Sequence, residues 1–314
     1  MQIPVKVDLP VGHNLQDHVG ALMGPFHFDA PISIKIERNV TPLDLLRYFS
    51  GSEGTGLSSS PAQASAFMVS RIAKERGQEN WPDNQHILVG AAVFDYNAEI
   101  YSRTFNTRME VLEKYFKASE QKDSVQVINM VSRPFSRGTI KLQGTDPFLP
   151  PLVDPNYFSD ERDMRVAIEG AKRAVSMFEN TETFKAINGT LTPTPLPGCE
   201  HLTIKTDEYW ECFHRQYSFT VYHPVGTCAM GRKDSKDAVV DSELRVIGTK
   251  NLRVVDASIM PRVTTGNTNA PTIMIGEMGA NFIKSAWDFS GEGWGQCEAA
   301  PVGFPKFPSS ECVH

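Results

Sequence analysis

One histidine in this chain stands in a setting suited to proton transfer. His223 lies within Tyr222-His223-Pro224-Val225-Gly226-Thr227-Cys228. Apolar Phe219 and Val221 before it predict a strand, and Pro224 and Gly226 predict a turn. A ring presented from a fixed turn can serve as a general base, because imidazole titrates near neutral pH. Asn269, within Thr265-Gly266-Asn267-Thr268-Asn269-Ala270-Pro271-Thr272, cannot be a base. Its amide can donate to an alkoxide-like oxygen or accept from a hydroxyl. It precedes a helix start predicted at Pro271, where free backbone N–H groups favour electron-rich ligands. Both residues also have a structural reading: His223 as a hydrogen-bonded core histidine, Asn269 as the N-cap of that helix. The whole string around His223 favours the functional reading there. At Asn269 the two roles are compatible.

The elements that must position these groups can be read along the chain. Ile32, Ile34 and Ile36 alternate within residues 21–37 and predict a strand. Thr41-Pro42 predicts a capped helix stopped by Gly51. Residues 51–65 form a Gly/Ser loop without the Lys-Ser/Thr ending of a phosphate cradle. Residues 87–94 read as a strand, and Phe105, Met109, Leu112 and Phe116 as a helical core stripe. Residues 125–131 and 139–142, separated by Arg133-Pro134, read as an antiparallel hairpin. Asp160 predicts the N-cap of a long helix with Met164, Ala167, Ala171, Val175 and Phe178 on one face. Trp210, Phe213 and Tyr217 share a second helix face, and residues 252–256 read as a short buried strand.

At 314 residues the chain can bury a sizeable core, and its length suggests about two domains. A net charge of −6 argues against nucleic acid and anionic membranes as partners. No apolar run reaches the length of a membrane span, and the first residues have no signal-peptide core. His13 and His18 have a spacing compatible with metal, but no third ligand clusters with them, so no metal site is expected. Cys199, Cys212, Cys297 and Cys312 could form two disulfides with Cys228 left free, or all five could be thiols; spacing alone leaves both open.

Several strings together resemble the glucose–methanol–choline (GMC) flavin oxidoreductases over most of residues 8–285. They are Leu9-Pro10-Val11-Gly12-His13-Asn14-Leu15-Gln16-Asp17-His18, Ser136-Arg137-Gly138-Thr139, Val153-Asp154-Pro155-Asn156-Tyr157, Leu252-Arg253-Val254-Val255-Asp256-Ala257-Ser258 and the His223 and Asn269 strings. The resemblance implies FAD as cofactor, with Asn14, Asp256, Ala257, Ala270, Pro271 and Thr272 beside it. It implies His223 and Asn269 as the catalytic pair, an alcohol or sugar as substrate, and a quinone or other electron acceptor. It also implies an α+β fold: an antiparallel-sheet substrate domain with flanking helices, plus C-terminal segments of an FAD-binding α/β domain. Residues 1–20 would then belong with the FAD domain, 21–221 form the substrate domain, 222–285 form the catalytic, FAD-contacting segment, and 286–314 form a disordered tail. Cys199, Cys212 and the 51–65 loop are most similar to the arthropod branch, with its quinone-reducing glucose dehydrogenases. That branch suggests a Cys199–Cys212 disulfide and an extracellular, secreted parent protein.

One family motif is missing. No Gly-x-Gly-x-x-Gly occurs in the sequence. In the family that motif seats the pyrophosphate of FAD on a helix N-terminus. The chain therefore reads as an incomplete flavoenzyme, lacking the N-terminal half of its FAD domain. A non-catalytic, vestigial binding protein is the alternative from another class.

Overall fold

The computed structural model describes residues 4–51, 60–93 and 97–287. Most of the 51–65 loop, the end of the 87–94 strand, Cys297, Cys312 and nearly all of the 286–314 tail lie outside the described residues. The architecture is α+β, as expected. Its centre is β1 (Val19–Phe28), buried along its whole length. One edge of β1 pairs antiparallel with β4 (Asp123–Val131). β4 pairs with β3 (Asn84–Val89), and β3 with β2 (Ala62–Met68). The other edge of β1 takes two short strands, β7 (Thr190–Leu191) at one end and β8 (Ser218–Thr220) at the other. β5 (Thr139–Lys141) and β6 (Leu152–Asp154) form a separate ribbon.

Six helices of eight residues or more are described: α1 (Pro42–Phe49), α2 (Asn97–Phe105), α3 (Met109–Phe116), α4 (Glu161–Asn180), α5 (Asp207–Gln216) and α6 (Asn269–Ala286). Local chemistry starts two of them where expected. Thr41 and Asp44 form a reciprocal capping box at α1, and Asp160 accepts from Arg162 N at α4. The apolar face of α4 packs against the sheet. There Phe26 and Phe178 lie with ring centroids 4.3 Å apart, beside fully buried Trp210 and Phe213 of α5. A smaller core gathers Val225, Val239, Val240, Leu244, Ile259, Met260, Val263 and Ile275.

Four expectations fail. The stripe from Phe105 to Phe116 is split between two helices: Phe105 ends α2, and Met109, which is exposed, opens α3. Residues 32–36 are not a strand: Ile32 and Ile36 are exposed, because Ser33, Lys35 and Arg38 clip this segment onto Asp123 at the start of β4. The 125–142 hairpin does not form. Both edges of β4 are already occupied, and buried Asp163 draws the chain away by accepting from Phe135 N and Ser136 N. Residues 252–256 make only a single bridge, Arg253 with Arg245. Val255 packs instead on α6 at Gly279, where a Cβ would lie 2.3 Å from Val255 Cγ1.

Cys199 and Cys212 are disulfide-bonded, and Cys228 is free. The bond ties the Pro/Gly-rich loop after β7 to α5. The double substitution Cys199→Ser/Cys212→Ser is expected to lower stability by about 3 kcal/mol, because the unfolded chain regains the entropy that closing a loop of this length removes. A denaturant melt reads this directly, and an unchanged midpoint would refute it.

Candidate active site

The site is built where residues 16–18 pair with residues 221–225. Gln16 exchanges both backbone bonds with Val225, and Val221 N donates to His18 O. Between those anchors one strand has Asp17 alone, while the other has Tyr222, His223 and Pro224. The longer side must bulge, and Tyr222 takes up the turn at φ +61°. The bulge swings His223 inward. Asp17 fastens it by accepting from His223 N at 2.9 Å, and Tyr157 OH donates to the other oxygen of Asp17. Gly226, at φ +94°, closes the turn, and a Cβ there would lie 2.4 Å from Asn14 O.

His223 is buried, with its Nδ1 2.9 Å from Nδ1 of His18. Nε2 of His18 lies 3.0 Å from Ser132 O and 2.9 Å from Thr264 O. Burial, reinforced by His223 nearby, lowers the pKa of His18 to about 4. Burial also lowers that of His223, with the Asp17 charge opposing it. Both rings are thus held neutral near pH 7. A neutral His223 can accept a proton, which a general base requires.

The structure does not bring Asn269 to His223. The amide 3.4 Å from His223 Nε2 belongs to Asn267. Asn267 Oδ1 accepts from Gln85 Nε2 at 3.5 Å, and Gln85 is set by Ser65. Asn269 is the first residue of α6, with an exposed side chain. It is not the N-cap either; that position is Thr268, which makes no side-chain cap. The helix starts two residues earlier than Pro271 predicts, and this places Asn269 on the outer first turn.

The other expected residues fall into two groups. Ala270, Pro271 and Thr272 form the first turn of α6, whose amides lack a side-chain cap. Thr272 is engaged with Thr268 O. Asp256 and Ala257 open a short 3-10 turn, where Asp256 accepts from Ser258 N. Asn14 is a fastener: its amide donates to Gly226 O and Pro261 O and accepts from Gln16 and Arg137. It lines a cleft of about 520 Å³ with His13, Arg137, Gly226 and Pro261, and His223 is not part of that lining. Among the described residues no group of three or more His, Cys, Asp or Glu could hold a metal ion, and no helix is long and apolar enough to cross a membrane.

The GMC oxidoreductase pattern matches residues 134–276. The chain carries the C-terminal domain of the GMC oxidoreductases. Over 281 residues it is 37% identical to a glucose dehydrogenase [FAD, quinone] of Drosophila pseudoobscura pseudoobscura, covering 88% of this chain and 41% of that protein. An alcohol dehydrogenase [acceptor] of Pseudomonas putida is 34% identical, over 90% of this chain and 46% of its own length. The chain thus spans less than half the length of these curated relatives. Formate oxidase of Aspergillus oryzae RIB40 superposes with a TM-score of 0.67 at 21% identity, covering 88% of this chain and 48% of that one. That likeness supports the fold of a GMC C-terminal region.

Proposed function

We propose that this chain is the substrate-side portion of an FAD-dependent oxidoreductase acting on a CH–OH group of an alcohol or sugar. One observation carries the reading: His223 Nε2 and the Asn267 amide converge 3.4 Å apart, just before the uncapped N-terminus of α6. His223 takes the hydroxyl proton at Nε2, and Asn267 donates to the substrate oxygen and holds it in place. Asn269 is exposed on the first turn of α6 and is not given that role.

FAD, when bound, supplies the hydride acceptor that no side chain can provide. The donors present fit part of it. The N–H groups of Asn269 and Ala270, uncapped at the start of α6, suit the electron-rich edge of a redox ring; Pro271 has no N–H, and that of Thr272 is donated to Thr268 O. Ala270 to Thr272, Asp256, Ala257 and the turn that Asn14 fastens to Gly226 would hold that portion. The pyrophosphate is not matched, since the sequence has no Gly-x-Gly-x-x-Gly. Helix α6 also keeps Ile273, Met274, Met278 and Ile283 exposed. An apolar face of that kind on a regular helix suits packing against further FAD-domain structure. The electron acceptor would be a quinone or another oxidant. The Cys199–Cys212 bond favours an oxidising, extracellular compartment.

Equilibrium dialysis tests the reading. The chain alone is expected to bind FAD weakly or not at all, and the chain completed with the N-terminal half of a relative to bind it stoichiometrically. Tight binding by the chain alone would contradict its proposed incompleteness. A completed, folded protein that stays colourless would favour the second reading, a non-catalytic binding protein.

A further inference from the structure

We propose that His18 is a positioning residue that fixes the tautomer of His223 and so makes Nε2 its only basic atom. The inference rests on His223 as the base and assigns a role to a neighbour 205 positions away in the chain. Nε2 of His18 faces two carbonyl oxygens, Ser132 O and Thr264 O, at 3.0 and 2.9 Å. Carbonyls only accept, so this nitrogen carries a proton. A neutral imidazole has one N–H, and Nδ1 of His18 is therefore a lone pair. That lone pair lies 2.9 Å from Nδ1 of His223, which must then be the donor. The single proton of neutral His223 is thereby placed on Nδ1, leaving Nε2 free to accept. Hydrogen positions follow here from the bonding network.

A second contact agrees with this assignment. Asn267 Oδ1 is used by Gln85, so its amide N–H faces His223 Nε2, where a donor meets an acceptor. The opposite tautomer would set donor against donor there and lone pair against lone pair at His18. The same arrangement decides where a captured proton rests. Moving it on to His18 would create a cation in the more deeply buried ring, where the cost of burial outweighs the carbonyls of Ser132 and Thr264 that would favour it. The proton stays on His223. His18 touches neither substrate nor cofactor in this scheme and acts only through His223.

The test needs no flavin and no turnover, so its failure is distinct from failure of the proposed function. Protein with 15N-labelled histidine rings is examined by two-bond 15N–1H correlation at pH 7.5. His18→Phe and His18→Asn are compared with it, and His223→Gln assigns the signals. The wild-type spectrum is expected to show His18 protonated at Nε2 and His223 at Nδ1 only. His18→Phe, which keeps an aromatic ring but not the acceptor, should lose that single state and gain an Nε2–H population. His18→Asn can place its side-chain oxygen against Nδ1–H and should restore the Nδ1–H form. A wild-type His223 protonated at Nε2 overturns the proposal without any variant. So does a folded His18→Phe whose His223 tautomer is unchanged, because a merely space-filling histidine would leave it so.

Discussion

His223→Ala is expected to lower turnover of the completed, flavin-loaded protein by about 10²–10⁴-fold, the usual cost of losing a general base. Substrate KM should change little, because the base acts on a proton in flight rather than on the ground-state complex. The motivation is geometric. Asp17, itself bonded to Tyr157, pins the His223 backbone; His18 holds one ring nitrogen; and the other is left facing Asn267. Asn267→Ala should cost less, about 1 kcal/mol or under tenfold, since it removes a single orienting hydrogen bond. Asn269→Ala should be close to wild type and serves as the control that separates the two asparagines. Steady-state kinetics on the three variants decide the matter. Near-full turnover by His223→Ala would make His223 a structural histidine. A larger loss at Asn269 than at Asn267 would return the role to the residue that the sequence first suggested.

The contrast between those asparagines shows how far the sequence could be read. His-Pro-Val-Gly announced itself, because a proline and a glycine beside an apolar strand leave few conformations open. The caps at Thr41 and Asp160 were equally legible, since capping is a contact within three residues. Asn267 and Asn269 differ by two positions in one Asn-Thr-Asn run. Only the true start of α6, set by packing of Ile275 and Gly279 against the second core, decides which side chain reaches His223. In the sequence His18 offers a metal-compatible spacing with His13 and a place in the Leu9–His18 string, and neither names His223 as its partner. Its role depends on pairing between residues 16–21 and 218–225, a long-range contact that no local pattern encodes. The 125–142 hairpin failed for the same reason: its alternation was genuine, but β1 and β3 were the partners.

Acid should destabilise this protein well above the pH at which its carboxylates titrate. His18, His86 and His214 each have a folded pKa lowered to about 4, chiefly by burial, against an ordinary value near 6.5. His214 shows the atomic reason. Its Nδ1 lies 2.7 Å from Trp210 O and must donate, while its Nε2 accepts from the Asn129 amide at 3.1 Å. A second proton on Nε2 would set two donors against each other in a fully buried site. Between pH 6.5 and 4 the unfolded chain binds protons that the folded chain refuses. Stability is therefore full above pH 6.5 and is lost as pH falls toward 4. Each histidine accounts for up to about 3 kcal/mol at the acid end, a large fraction of the ~5–15 kcal/mol that typically holds a domain together. At about 2–4 °C per kcal/mol, Tm should fall by on the order of 10 °C between pH 7 and pH 5. His214→Gln should flatten the curve, because glutamine cannot titrate and its carbonyl can still accept from Asn129. A Tm that is level down to pH 4.5, or a His214→Gln curve as steep as wild type, would mean that these histidines are not held neutral by the fold.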